Sequence, residues 1–234
     1  MRLLFLLSSK PEYKYRTLLF FCFAMLLLFS IPDALYWVGA LGYTVLAFLI
    51  MQVTISSGSI DQHDMNYRNL GLFAIASIWF WSLTPIEIAY SGIQVVFVWS
   101  VFVCWGVIRL VKLLAASEKI NANSLFAAAA GYMLLGIVSG LIFSAIETIA
   151  PSSFEPLLRT SLDASNMDSL AYSRMFSALN YYAFVCLTTL GFGDIVPVSS
   201  MARIASVVTG LFGTFYLAAI IGLLIGRYSS SVSD

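Results

Sequence analysis

From Ser124 to Ile146 the chain reads "SLFAAAAGYMLLGIVSGLIFSAI", without one charged side chain. Such a segment offers water almost nothing, whereas a helix crossing a bilayer needs about 20 predominantly apolar residues. Comparable windows recur along the sequence. Apolar runs separated by polar breaks give six candidate helices, at about 17–31, 34–56, 69–84, 92–114, 124–149 and 199–226. They take up more than half of the 234 residues and leave little for a soluble domain. Only 10% of the residues are charged, against about 25% in soluble domains. The net charge is zero, so bulk charge points to no nucleic acid and no acidic partner. The class expected is an all-α membrane protein with six spans.

The first span is the shortest. Fifteen residues rise only about 22 Å, so Lys14 and Arg16 must snorkel or the helix must start earlier. "IPD" at 31–33 separates it from the second span. A basic start before a short apolar run also fits a signal sequence, but no clear small-residue cleavage site follows, and a retained span is expected. Lys and Arg concentrate on the cytoplasmic side of membrane proteins. With the N-terminus in the cytoplasm, Arg2, Lys10, Lys14, Arg16, Arg68, Arg109, Lys112, Lys119 and Arg227 fall inside. Arg159, Arg174 and Arg203 fall outside. Both termini are therefore expected in the cytoplasm of a cell (plasma or inner) membrane, with the 150–198 connection outside.

The minor features read blandly. Cys22, Cys104 and Cys186 lie in apolar runs with no partner at metal-ligand spacing, as buried structural thiols do. His63, in "SSGSIDQHDMNYR", is expected in a solvated loop. Trp37, Trp79, Trp81, Trp99 and Trp105 suit interfacial belts or helix contacts. There is no nucleophile–base pair, metal set or phosphate loop, so no enzyme and no organic cofactor is expected.

The 150–198 connection differs from the others. "PSSFEPLLRTSLDASNMDS" is polar and reads as an outer turret. A helix over roughly 176–188 follows and, at about 18 Å, is too short to cross. It must enter the membrane and come back. Next comes "TTLGFGD" at 188–194. Irregular backbone at membrane depth is tolerated only where protein buries it or it lines a water-filled path. A dehydrated cation on such a path needs oxygen ligands, and without fixed acids the source is successive backbone carbonyls. Glycine at alternate positions accepts the φ > 0 that this arrangement requires. Gly191 and Gly193 alternate with Leu190 and Phe192, whose side chains can pack outward against the re-entrant helix, and Thr189 adds a hydroxyl at the inner end. The negative end of the helix dipole favours a cation nearby.

"TTLGFGD" resembles the selectivity-filter signature of potassium channels, in its GFG rather than GYG form. Tyr181 and Tyr182 stand where that family carries an aromatic cuff, and Pro197 and Arg203 fall at similar spacing after Asp194. Gly213 sits where the family has its inner-helix hinge. The resemblance spans residues 124–226 and implies a prokaryotic-type six-helix potassium channel subunit. It implies K⁺ bound at Thr189, Leu190, Gly191, Phe192 and Gly193, with Thr188, Asp194, Tyr181 and Tyr182 as supports. Asp194, at the outer mouth, can bond to Tyr181 or Tyr182 or attract cations. Val185 occupies a place where some relatives carry a carboxylate, and Phe192 has no hydroxyl for the cuff. One loop supplies a quarter of a ring, so a homotetramer is expected.

After Gly213, the stripe Leu217, Ile221 and Ile225 is either an apolar inner gate or packing. The expected organisation is an N-terminal segment (1–16), a four-helix unit (17–114), a linker (115–123), a pore unit (124–226) and a short tail (227–234). No ligand-binding domain is expected after Arg227. The four-helix unit resembles a voltage sensor without its charges. The fourth helix, "SGIQVVFVWSVFVCWGVIRLVKLL", holds only Arg109 and Lys112, placed as a cytoplasmic anchor. Asp33 and Glu87 lie at outer ends, so no acid is expected in mid-membrane to pair with a moving charge. The competing readings are a potassium transport subunit, whose relatives carry four filter-like loops in one chain, and a weakly selective or non-conducting membrane sensor.

Overall fold

A proline is harmless at the first position of a helix, where its missing N–H has no acceptor to meet, and Pro11 opens α1, Pro11–Leu28. The earlier start lengthens the first helix to 18 residues, about 27 Å, and brings Lys14 and Arg16 into it. The computed structural model describes residues 11–28, 36–55, 61–83, 91–116, 122–156 and 169–232. Expectations for "IPD", Asp33, Glu87, most of the linker and turret residues 157–168 lie outside the described residues. The side chains of Trp37 and Trp81 lie outside them too.

The remaining helices are α2 (Tyr36–Thr54), α3 (Gln62–Leu83), α4 (Ser91–Ala116), α5 (Ala122–Ile149), α6 (Ser169–Leu187) and α7 (Ser200–Val232). Strand β1 (Phe154–Glu155) follows α5, and strand β2 (Val196–Pro197) precedes α7. Among the described residues, the regular structure is all-helical apart from this two-stranded ribbon. Three described stretches have the length and apolarity to cross a membrane: Ile93–Ala116, Asn123–Ile149 and Ser200–Leu223. The apolar stretch of α2, Gly39–Thr54, is shorter.

Helix α3 begins seven residues before the expected position, because Asp61 caps it. The Gln62 N–H donates to the Asp61 carboxylate at 2.7 Å, and the N–H groups of Asp64 and Met65 donate to the Asp61 carbonyl. His63 is exposed, but on the first turn of a helix rather than in a loop. Asp64 turns inward and is 7% exposed. Arg109 of α4 pairs with it, donates a second hydrogen bond to the Thr54 carbonyl at 3.0 Å, and lies over the Tyr67 ring at 5.1 Å. The Arg109 side chain, expected as an anchor at the cytoplasmic edge, therefore joins α2, α3 and α4.

Aromatic packing fills the rest of this unit. Trp99 donates to the Ala74 carbonyl and Trp79 to the Thr44 hydroxyl, both at 3.0 Å, and Trp105 meets Tyr67 edge-on. These three tryptophans make helix contacts. Cys22 is buried as expected and Cys186 is partly buried, but Cys104 is exposed on α4, where no described helix covers it.

Helix α5 is the hub, packed against α1, α4, α6 and α7. Its glycines admit bulky neighbours: Gly136 faces Phe184, and Gly140 faces Asn180. Going up α5 from Tyr132 to Gly140, the α6 partners run back from Leu187 to Asn180, so the two helices are antiparallel. The α7 partners of α6 advance together with it: Ser206 with Tyr182, Gly210 with Cys186, Gly213 with Leu187. Helix α6 thus travels in the direction of α7 and stops beside the middle of both neighbours. It has 19 residues, longer than expected, because "SLAYSRM" continues the helix N-terminally.

Candidate functional site: the 188–194 segment

Helix α6 ends in a left-handed turn. The Thr189 N–H donates to the Cys186 carbonyl (3.1 Å) and the Leu190 N–H to the Val185 carbonyl (3.0 Å), the paired bonds that close a helix around one residue of positive φ. Glycine normally fills that position, but here it is Thr189, at φ 60°. A β-branched residue in this region is uncommon and strained. Gly191 (φ 60°) and Gly193 (φ 77°) repeat the conformation. Left-handed residues therefore alternate with Leu190 and Phe192 along the stretch. The sequence pointed to the two glycines; nothing in it marked Thr189 as the third member.

All residues from Thr188 to Asp194 are exposed. Leu190 and Phe192 are 61% and 64% exposed, so the same chain leaves most of both side chains uncovered. Thr188 folds back, its hydroxyl donating to the Phe184 carbonyl at 2.6 Å.

The two tyrosines have separate partners. Tyr181 lies near the Asp194 carboxylate, which raises the tyrosine pKa by favouring its protonated form. Tyr182 is buried and meets the Ser206 hydroxyl of α7 at 2.8 Å. Val185 is buried. Arg203 donates to the Pro197 carbonyl at 3.2 Å, so these two spaced residues do meet.

The stretch then returns to the end of α5. Phe154 pairs with Pro197 and Glu155 with Val196, and the Val198 N–H donates to the Ser153 carbonyl at 2.8 Å. Under the ribbon, the rings of Phe143, Phe154 and Tyr182 lie 5.2–5.4 Å apart. Glu147, one acid inside an apolar window, is 1% exposed. Its carboxylate accepts the N–H of Ser152 at 2.7 Å and of Phe154 at 3.0 Å. Sequence reasoning missed Glu147 because a composition window averages a single acid away.

Helix α7 is continuous through Gly213. A Cβ there would collide with the Leu187 carbonyl, so close packing by itself requires glycine at this position. Leu217 (43% exposed) and Ile221 (52% exposed) point away from the described parts of the chain, and the Ile225 side chain lies outside the described residues.

The family described as "Ion channel" matches residues 157–229, which takes in α6, the 188–194 segment, β2 and most of α7. No curated protein and no solved structure gives a match. Over this stretch the chain is similar to ion channels. The similarity, together with three helices of membrane-crossing length, supports an ion channel in a membrane.

Proposed function

We propose that the chain is one subunit of a potassium-selective channel, four copies of which surround a passive K⁺ path lined by Thr189, Leu190, Gly191, Phe192 and Gly193. The observation that carries the proposal is the alternation of left-handed residues at 189, 191 and 193, directly after a helix that stops beside the middle of its neighbours. Left-handed residues at every second position turn successive peptide planes, which lets neighbouring carbonyls take up a common direction and replace a hydration shell. Thr188, Asp194, Tyr181 and Tyr182 support this backbone. The exposure of Leu190 and Phe192 in the single chain fits cover by a neighbouring copy. K⁺ is the cargo, held by backbone oxygens.

In this reading the chain has six spans, with α6 re-entrant and both termini cytoplasmic in the cell membrane. Residues 17–114 form a four-helix unit and 124–226 the pore. Gly213 is the pivot of α7, and Leu217, Ile221 and Ile225 are its apolar gate. Opening is not steeply voltage-dependent.

Reversal potentials of the purified protein in mixed K⁺ and Na⁺ test the proposal. K⁺ and Rb⁺ should be strongly favoured, and Gly191→Ala should abolish selectivity or conduction, since alanine resists φ > 0. Equal permeabilities would point to the weakly selective alternative, and absence of flux to a non-conducting sensor or transport subunit.

A further inference from the structure

The last turn of α6 places four carbonyls beside the start of the 188–194 segment. Three are occupied by the chain immediately after the helix. Phe184 accepts from Thr188 (2.9 Å), Val185 from Leu190 (3.0 Å) and Cys186 from Thr189 (3.1 Å). The fourth, Leu187, receives its donor from a different helix: the Tyr132 hydroxyl of α5, at 2.9 Å. The same carbonyl also abuts α7 at Gly213, where a Cβ would collide with it. Behind it the Tyr132 ring lies 5.8 Å from the Tyr216 ring of α7, and the Tyr216 hydroxyl donates to the Ala128 carbonyl at 2.7 Å. Three helices therefore meet at one peptide group, the last before Thr188.

From this convergence we infer that Tyr132 is a positioning residue for ion conduction: its hydroxyl fixes the peptide plane from which the 188–193 backbone departs. A helix-terminal carbonyl that loses its donor must rotate or find water. Rotation of this peptide is opposed by the Thr188 N–H bond to Phe184, and the next two peptides by their bonds to Cys186 and Val185. Beyond Leu190 no such bond holds the backbone, and Thr189 is already strained, so a tilt at Leu187 is passed on toward Gly191 and Gly193. The terminal carbonyls of α6 are engaged by donors and do not present bare charge to a cation, so what this helix end contributes is placement of the backbone.

The inference rests on the proposed channel activity, and single-channel recording of the full-length protein separates the two. Tyr132→Phe removes one oxygen and keeps the ring beside Tyr216. It should shorten open times about tenfold in low K⁺, the scale of one buried polar group left unpaired. High K⁺ should restore them, since an ion bound within the conducting backbone stabilises that conformation by mass action. Tyr216→Phe is the control: it loses a hydrogen bond of the same kind in the same ring pair but not the one to Leu187, and should show no K⁺-dependent change. Unchanged open times in Tyr132→Phe overturn the inference. So do equal defects in both variants, a defect that high K⁺ does not relieve, or failure of Tyr132→Phe to assemble, each of which assigns Tyr132 to general packing. A wild-type protein that does not select K⁺ overturns the channel reading, and this inference with it.

Discussion

Asp64 and Glu147 are both buried carboxylates in an apolar chain, at 7% and 1% exposure, and they are satisfied in opposite ways. Asp64 receives a guanidinium from another helix. Glu147 receives two backbone N–H groups from the turn after its own helix. The first arrangement cancels a charge and ties α3 to α4. The second gathers amide dipoles and shapes a loop. Ser152 is held at φ 66°, the ribbon follows, and through β2 the loop reaches the end of the 188–194 segment. Between α3 and α4 the buried acid locks helices together, whereas at the end of α5 it sets the path of backbone.

The comparison breaks most visibly at Arg109. Arg109→Gln strands Asp64 in a largely apolar interior, and breaking a buried pair in this way costs about 3–5 kcal/mol. The melting temperature in detergent should fall clearly. The double variant Asp64→Asn/Arg109→Gln should recover most of the loss, and a single variant as stable as wild type would show that the pair locks nothing. The double variant also sharpens the question of voltage. Steep gating needs about three or four charges per subunit moving through the field, and α4 offers Arg109 and Lys112. Conductance–voltage curves should be shallow in wild type and nearly unmoved in the double variant. A steep wild-type curve that the double variant flattens would make Arg109 a moving charge.

Glu147 is the next point of attack. Glu147→Ala leaves two amide N–H groups without their acceptor, each worth about 1–3 kcal/mol if buried and unpaired. Glu147→Gln keeps one carbonyl oxygen and should lie between alanine and wild type. The readout is the decline of K⁺ current during sustained opening, fastest in alanine. Equal rates in all three proteins would disconnect the ribbon from the 188–194 segment.

These two acids also mark what sequence can and cannot disclose. The 188–194 segment was legible because its chemistry is written contiguously: two glycines at alternate positions, a threonine pair, an acid, all between apolar spans. The helices from α4 onward were legible from apolar length. Asp64 was hidden because a polar window looks like a loop, and only the capping geometry of Asp61 turns that window into the first turns of α3. Glu147 was hidden for the reverse reason, one acid among apolar neighbours. Tyr132 and Ser206 depend on which faces of α5 and α7 meet α6, and no single segment contains that information. Thr189 is the sharpest case, since a β-branched residue argues locally against positive φ and adopts it only because the helix must end there.

The smallest effect belongs to Tyr181, an exposed group at the outer end of the segment. Its hydroxyl lies near the Asp194 carboxylate, which raises the tyrosine pKa above its ordinary 10.0. The sign follows directly. A group whose pKa is raised on folding contributes its stabilisation fully below the ordinary value and loses it as pH rises through the higher one. The Tyr181–Asp194 contact should therefore be constant between neutral pH and about pH 9, and weaken only at pH values above the ordinary tyrosine range. Tyr181→Phe removes the contact at every pH. Its rate of current decline should exceed that of wild type by a small, pH-independent factor across the neutral range, and the two should converge in strongly alkaline solution. The factor should be smaller than for Glu147→Ala, because Tyr181 is open to solvent while Glu147 is enclosed. A larger factor for Tyr181→Phe than for Glu147→Ala would place the hold on the 188–194 backbone at its outer rim and not in the buried turn.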